Sequence, residues 1–277
     1  MNLEQVYGAA SREIRDELRA VDLLKFDNAQ AEAIQRKVRR LTLVLDIAAQ
    51  NWAEAELAAS YARGAARARV ALEILGRKPK RQVVSQILNI QDRVLQTLVE
   101  ANISIRQTTD EFLEAALSAS RTLRTAQVQE FNWREAIKRF RDWATEAVLT
   151  EVSRGTLGKQ IFDYLLKFVN EQGFIRIKGK YWNPRKYAKL VARTEMRRAA
   201  TEATKDLCHQ YENDLVQISD HSTDCELCEE YEGNIYSISG HDAKYPMLDE
   251  WPPFHPNCKH SALPTSREAI LARERFG

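Results

Sequence analysis

Long apolar runs are missing from this chain of 277 residues. No stretch approaches the roughly 18 consecutive apolar residues that a membrane-spanning helix needs, so we expect no membrane partner. The first residues also lack the basic and apolar blocks of a secretory signal, which predicts a reducing compartment. Net charge is low as well, at +2. No global basic field therefore indicates nucleic acid, and any contact with DNA would depend on local patches.

The motifs of several common enzyme classes are also absent from the sequence. It contains no glycine-rich phosphate loop, no serine nucleophile elbow and no H-E-x-x-H zinc motif. Internal repeats and low-complexity segments are missing too. With 44% hydrophobic and 29% charged residues, the composition is that of a globular protein. We expect a structural or binding role and not an enzyme.

Helical periodicity dominates the first half of the chain. Asp27 and Gln30 have the spacing of a capping box, which predicts a helix start. Apolar residues then recur at alternating steps of four and three, namely Ile34, Val38, Leu41, Leu45, Ala48, Trp52, Ala55, Ala59, Ala62 and Ala66. Gly76 and Pro79 end this run, and a second run follows through Val94, Leu98, Ala101, Ile105, Thr108 and Phe112. Together they predict a long antiparallel helical hairpin or arm within residues 1–150.

The pattern changes in residues 151–277. A further amphipathic helix is predicted around residues 161–169. Alternating residues on both sides of Gly179 predict a short β-hairpin. Asn183 followed by Pro184 predicts the start of a helix that runs to about Tyr211. Strands are predicted at residues 215–219 and 234–238. The expected fold is therefore mainly α, with a small α+β C-terminal module.

Two half-sites in this module have the spacing of metal ligands. Cys225 and Cys228 form a C-x-x-C, and His255 and Cys258 form an H-x-x-C. Three thiolates and one imidazole predict a zinc-knuckle-like site that binds Zn²⁺. Four protein ligands leave no position for a water molecule, so this zinc would be structural. His260 is an alternative ligand to His255. Two other histidines, His221 and His241, are weaker candidates.

An enzyme reading stays open as the alternative. If three protein groups alone bound the metal, the open position could activate water, with Asp220 or Asp224 as general base. The protein would then be a zinc-dependent nuclease or hydrolase acting on nucleic acid. No His-Glu or His-Asn-His arrangement supports this reading. The fourth cysteine, Cys208, is predicted to be a small, partly buried side chain in a helix.

Four cations lie at steps of three and four on the helix that begins at Pro184. They are Lys186, Lys189, Arg193 and Arg197, and we call them the cation stripe. A solvated helix face explains such a stripe without any function. The functional alternative is a surface that contacts DNA phosphates or an acidic partner.

The order of these motifs resembles a known family. Ala192-Arg193-Thr194-Glu195 precedes Asp220, then the C-x-x-C with Gly233 after it, then a proline-rich loop that ends His255-Pro256-Asn257-Cys258-Lys259-His260. This order is similar to that of phage head morphogenesis proteins, the minor head proteins of the Mu F-like type and the related phage minor capsid proteins. Lys259 stands where the family pattern has an arginine, which keeps the charge. Two further details depart from that pattern: Asp224 separates Thr223 from the first cysteine, and a short acidic and aromatic insert runs from His241 to Trp251.

The resemblance implies an architectural role. Such proteins are low-copy virion components inside tailed-phage heads, associated with the portal vertex, and they act in head assembly and in packaging or ejection of DNA. The implied partners are the portal protein, the major capsid or scaffold proteins, and packaged double-stranded DNA that is bound weakly and without sequence specificity. The implied locations are the virion and, during assembly, the host cytoplasm.

Overall fold

The computed structural model describes residues 2–23, 25–126, 173, 175–222 and 224–276. Its helices are α1 (Leu3–Arg19), α2 (Asn28–Trp52), a π-helical turn (Ala53–Leu57), α3 (Ala58–Ile74), α4 (Ile87–Ala126), α5 (Pro184–Tyr211), α6 (Glu226–Glu229) and α7 (Arg267–Phe276). Its strands are β1 (Ile175–Ile177), β2 (Lys180–Trp182), β3 (Leu215–Ile218), β4 (Ile235–Ser237) and β5 (Ala262–Pro264). The predicted mainly α fold with a small α+β module is confirmed. The predicted boundary near residue 150 and the helix predicted around residues 161–169 lie outside the described residues.

Local signals place several helix ends where the sequence predicts them. At the start of α2, the Gln30 N–H donates to Asp27 Oδ1 (2.9 Å) and the Asp27 N–H donates to Gln30 Oε1 (3.2 Å). This is a complete capping box. α3 ends before Gly76, whose φ of +70° lies in the left-handed region that glycine tolerates. At the start of α5, the side chain of Asn183 accepts hydrogen bonds from the first backbone N–H groups of the helix.

Two compact units divide the chain. The first unit consists of Asn2–Ala48 and Leu98–Ala188, and the second contains Ala49–Thr97 and Lys189–Gly277. In the first unit α2 and α4 are antiparallel, since Asn102 Nδ2 donates to Asp46 Oδ1 (2.7 Å) and Arg106 Nη1 donates to Thr42 Oγ1 (3.2 Å). The predicted helical hairpin is therefore formed within one chain.

The predicted apolar seam of the first helical run is correct only as far as Trp52. Beyond it Ala55, Ala62 and Ala66 are exposed. The buried positions are instead Ala53, Leu57, Ser60, Gly64, Ala68 and Leu72. The cause is the π-helical turn at Ala53–Leu57, because a π-turn holds one residue more than an α-turn and rotates all later positions around the helix axis. In the second run the predicted seam is correct. All of the residues predicted to form it are buried, namely Val94, Leu98, Ala101, Ile105, Thr108 and Phe112.

The first unit also contains the predicted β-hairpin. β1 and β2 pair antiparallel, with Ile177 opposite Lys180. The two turn residues, Lys178 and Gly179, have φ of 47° and 76°. Two positive φ values in a two-residue loop are typical of a type I′ turn. Ser104 on α4 holds the hairpin, because its hydroxyl accepts a hydrogen bond from the Arg176 N–H (2.6 Å).

A three-stranded antiparallel sheet, in the order β4-β3-β5, forms the centre of the second unit. The fully buried residues at its core are Cys208, Val216, Ile218, Leu248 and Ala262. Cys208 comes from α5 and is more completely buried than the sequence predicts. No helix in the described part of the chain has the length and apolar content that crossing a bilayer requires.

Candidate metal centre

The first half of the candidate centre lies just after β3. Cys225 is the residue before α6, and Cys228 lies within that one-turn helix. The Cys228 N–H donates to the Cys225 carbonyl oxygen (2.9 Å), which closes the turn. Residues three apart in a helical turn lie on the same side. The C-x-x-C spacing therefore brings both sulfur atoms to one side of the loop.

The second half lies in the loop that precedes β5. Here the Cys258 N–H donates to the His255 carbonyl oxygen (3.1 Å), so the H-x-x-C pair also forms a tight turn. The ends of the two loops are joined directly. The Ser219 N–H donates to the Ser261 carbonyl oxygen (2.9 Å), and the Ser261 N–H donates to Ser219 Oγ (3.0 Å). The sheet thus brings together half-sites that are 30 residues apart in the sequence.

The sulfur and nitrogen atoms of the cluster lie at metal-ligand separations. His255 Nε2 is 3.4 Å from Cys225 Sγ and 3.1 Å from Cys228 Sγ. Cys228 Sγ is 3.9 Å from Cys258 Sγ. Tetrahedral zinc, with Zn–S of about 2.3 Å and Zn–N of about 2.0 Å, places two sulfurs about 3.8 Å apart and sulfur about 3.5 Å from nitrogen. Each of these three separations therefore fits two ligands of such an ion.

Both histidines of the second loop face the thiols. His260 Nδ1 is 3.5 Å from Cys258 Sγ, and its other ring nitrogen is 3.0 Å from the Glu232 carboxylate. His255 turns its Nδ1 to the Pro256 carbonyl oxygen (2.8 Å). In metal sites the second ring nitrogen of a bound histidine usually has such an acceptor. Two groups could each hold an ion, Cys225–Cys228–His255 and Cys228–Cys258–His260, and Cys228 belongs to both.

Cys228 is the electrostatic centre of the cluster. Burial, together with the neighbouring thiols of Cys225 and Cys258, raises the pKa of Cys228 to about 12. Its side chain is therefore neutral at pH 7 when no cation is near. Metal ligation requires the thiolate, so binding must displace the proton and must weaken as the pH falls.

Comparison with known protein families gives a match for the chain that contains this site. The family model described as Phage minor capsid protein 2 matches residues 26–268. The chain belongs to this family. The matched range includes every cysteine and histidine of the cluster. No curated protein and no solved structure gives a match. Family membership confirms the resemblance and gives the protein a minor head protein role in a phage.

Helix α5 supports the second loop from behind. Arg197 Nη1 donates to the carbonyl oxygens of Asn257 (3.1 Å) and Cys258. One turn earlier, Thr194 Oγ1 accepts a hydrogen bond from the Asn257 N–H (3.4 Å). The sequence places Arg197 in the cation stripe and gives Thr194 no role. Their spacing of three on a helix is the signal that both side chains could serve one partner.

Glu232 is a second residue that the sequence does not single out. Its carboxylate accepts hydrogen bonds from the His221 N–H and from His260. Both side chains are largely buried, at 2% exposure for His260 and 10% for Glu232. Several acidic residues follow Cys228, and nothing in their pattern distinguishes this one. Only the fold shows that Glu232 lies beside a ligand candidate.

The weaker ligand candidates lie outside the two metal-ligating groups found among the described residues. The His221 ring packs edge-on against His260, with centroids 5.1 Å apart. Asp220 accepts the Ser222 N–H (2.9 Å) and Asp224 is exposed. Neither carboxylate belongs to these groups.

The members of the cation stripe differ in their surroundings. Lys186 and Arg193 are exposed, whereas Lys189 and Arg197 are half-buried. Lys186 belongs to the first unit and the other three belong to the second. Arg197 has its Nη1 turned towards the second loop, as described above. The stripe is therefore a set of four cations on one helix. At least one of them, Arg197, also bonds to the backbone of the second loop.

Proposed function

We propose that this minor head protein acts in head assembly at the portal vertex and that its Cys/His cluster binds one structural Zn²⁺. The observation that carries the proposal is the pair of Cys/His groups that share Cys228, namely Cys225–Cys228–His255 and Cys228–Cys258–His260, in a member of a phage capsid family. Cys225, Cys228, His255 and Cys258 would be the ligands, with His260 as the alternative to His255. The bound ion would supply no reaction; it would hold the two loops together.

The proposed ligand set argues against catalysis. Four protein ligands fill a tetrahedral ion, and the neighbouring acidic group, Glu232, bonds to a histidine and not to a position where water could be activated. Purified protein mixed with DNA and Zn²⁺, Mn²⁺ or Mg²⁺ should leave the DNA intact. Cleavage that disappears in His255→Ala would support the nuclease alternative instead.

Limited proteolysis tests the structural role of the cluster. Cys225→Ser should lose the ion and make the second unit sensitive to protease, because metal binding contributes directly to folding free energy in small metal modules. Cys208→Ala is the matched control, since it also removes a cysteine but lies outside both metal-ligating groups. Equal protease resistance in wild type and Cys225→Ser would contradict the proposal.

The proposed partners are the portal protein, the major capsid or scaffold proteins and packaged double-stranded DNA, inside the head and, during assembly, in the host cytoplasm. Residues 1–150, the helical arm, would bind the portal or capsid, and residues 151–277 would form the head morphogenesis domain. Co-expression with the portal and capsid proteins of the same phage tests this directly. The chain should sediment with assembled heads that contain portal and be lost from heads assembled without it. Absence from both would refute the proposed location.

The cation stripe would give weak, sequence-independent contact with DNA. Because Arg193 is exposed and has no ion-pair partner among the described residues, it is the position to test. Arg193→Glu should weaken binding of duplex DNA and reduce its salt dependence. Arg69→Glu is the matched control, since Arg69 is an exposed helix arginine outside the stripe. If both variants bind as wild type does, the stripe is only a solvated face.

A further inference from the structure

A small cavity lies in the second unit beside the metal-binding loop. Its volume is about 140 Å³, and its walls come from α3, α5 and the segment that enters β5. At roughly 30 Å³ for each water molecule, this volume corresponds to four or five waters. A single tetrahedral oxyanion is of this size class. One lining residue, His260, also belongs to a metal-ligating group.

The charge around the cavity has one sign. Arg67, Arg197 and Lys259 all line it, and none of the described lining residues is acidic. The side chains of Arg67 and Lys259 are exposed, and neither has an ion-pair partner among the described residues. Arg197 uses Nη1 for the loop carbonyls and keeps its Nε–H and Nη2–H groups without a described partner. A guanidinium edge of this kind matches two oxygens of a phosphate group.

The hydroxyl group of a threonine in the cavity wall supplies a second observation. Thr201 lines the same cavity and is only 6% exposed. Its hydroxyl makes no hydrogen bond within the part of the chain that the structure describes. The neighbouring Thr204, by contrast, donates to the Ala200 carbonyl oxygen (3.2 Å) of its own helix. Thr201 is therefore positioned to donate to a bound oxyanion.

We propose that this cavity binds one phosphate group of a nucleic-acid backbone, held by Arg67, Arg197, Lys259 and Thr201. Orthophosphate shares this chemistry, and the assignment to DNA rests on the proposed function, which places the protein beside packaged DNA. The site lies outside the exposed part of the cation stripe and includes two cations, Arg67 and Lys259, that the stripe lacks. Lys259 follows directly after Cys258, so an ordered second loop would also position it.

Fluorescence anisotropy with a labelled 12-base-pair duplex tests the proposal on the full chain. The double variant Arg67→Gln/Lys259→Gln should bind at least about tenfold more weakly. It should also lower the slope of log affinity against log salt by about 0.9, which is the contribution of the single phosphate contact that the cavity makes. Arg69→Gln/Lys78→Gln removes the same charge from exposed residues outside the cavity and is the matched control. An equal loss of duplex affinity in the control would refute the phosphate site, because general surface charge would then explain the binding.

Two further experiments distinguish a phosphate site from general surface charge: the uncharged substitution Thr201→Val and competition by orthophosphate. Thr201→Val keeps side-chain shape and charge, so a severalfold loss of affinity in a variant with unchanged circular dichroism supports a bound oxyanion. Orthophosphate should bind to wild type and displace the duplex. In another outcome, orthophosphate binds to wild type and loses affinity in Arg67→Gln/Lys259→Gln while duplex affinity is the same in both proteins. That result supports a phosphate site but refutes DNA as the source of the phosphate. If orthophosphate neither binds nor competes and Thr201→Val has no effect, the site is refuted. Metal content and incorporation into heads test the proposed function separately.

Discussion

Replacement of Gly64 by alanine probes the packing that positions α3 against α5. A Cβ atom at Gly64 would lie 2.7 Å from Ala200 Cα and closer still to the Ala200 carbonyl oxygen. Ordinary contacts of this kind begin at 3.4 Å, so the two helices would have to separate by 0.7 Å or more. Backbone atoms cannot avoid a clash by changing rotamer. Overpacking costs about 1–3 kcal/mol, and the higher helix propensity of alanine returns up to about 1 kcal/mol. We expect Gly64→Ala to lower the free energy of unfolding by about 1–2 kcal/mol.

Gly8 provides the control, because it also lies inside a helix. The three atoms nearest to a Cβ there all belong to the Arg185 side chain, with Cδ at 3.1 Å. That side chain is flexible and can move, so Gly8→Ala should be neutral or stabilise by up to about 1 kcal/mol. Urea unfolding followed by circular dichroism measures both. If Gly64→Ala stabilises the protein as much as Gly8→Ala does, the close helix contact does not exist.

Two further predictions concern buried groups of the second unit. Burial raises the pKa of Cys208 from about 9 to about 12, so the folded state favours the neutral thiol. The contribution of this thiol to the free energy of unfolding is complete below pH 9 and is lost as the pH rises towards 12. Between pH 8 and 10.5, metal-free wild type should therefore lose about 2 kcal/mol more stability than Cys208→Ala, and parallel stability curves would refute the assignment. Tyr61 donates to the buried Asp206 carboxylate, and Tyr61→Phe should destabilise by about 1.5–3 kcal/mol, because a hydrogen bond to a charged group is lost. An unchanged urea midpoint for Tyr61→Phe would show that this bond contributes nothing.

Features of the fold that depend on neighbouring residues could be predicted from the sequence. The capping box of Asp27 and Gln30, the stop at Gly76 and the turn at Gly179 each follow from the conformations that a few adjacent residues prefer. The C-x-x-C and H-x-x-C pairs belong to the same class, because each pair is confined to one turn. The sequence could also predict that the pairs meet, since isolated half-sites cannot complete a tetrahedral ion.

Features that depend on distant residues could not be predicted. The π-helical turn after Trp52 changes which alanines of α3 are buried, and no single residue of that segment is a known π-helix signal. The hydrogen bonds of Arg197 with the second loop join residues about 60 positions apart. The same limit applies to Glu232, whose importance comes from its distance to His260. The sequence also does not determine whether His255 or His260 is the metal ligand, and both imidazoles lie beside thiols in the fold.

Metal content measured on the purified, folded protein tests the central claim most directly. Elemental analysis should find one zinc per chain, and X-ray absorption should show three sulfur ligands and one nitrogen ligand. Cys258→Ser should remove the zinc, while Cys208→Ala should retain it. A wild-type protein that is fully folded and protease-resistant without any bound metal would contradict the account.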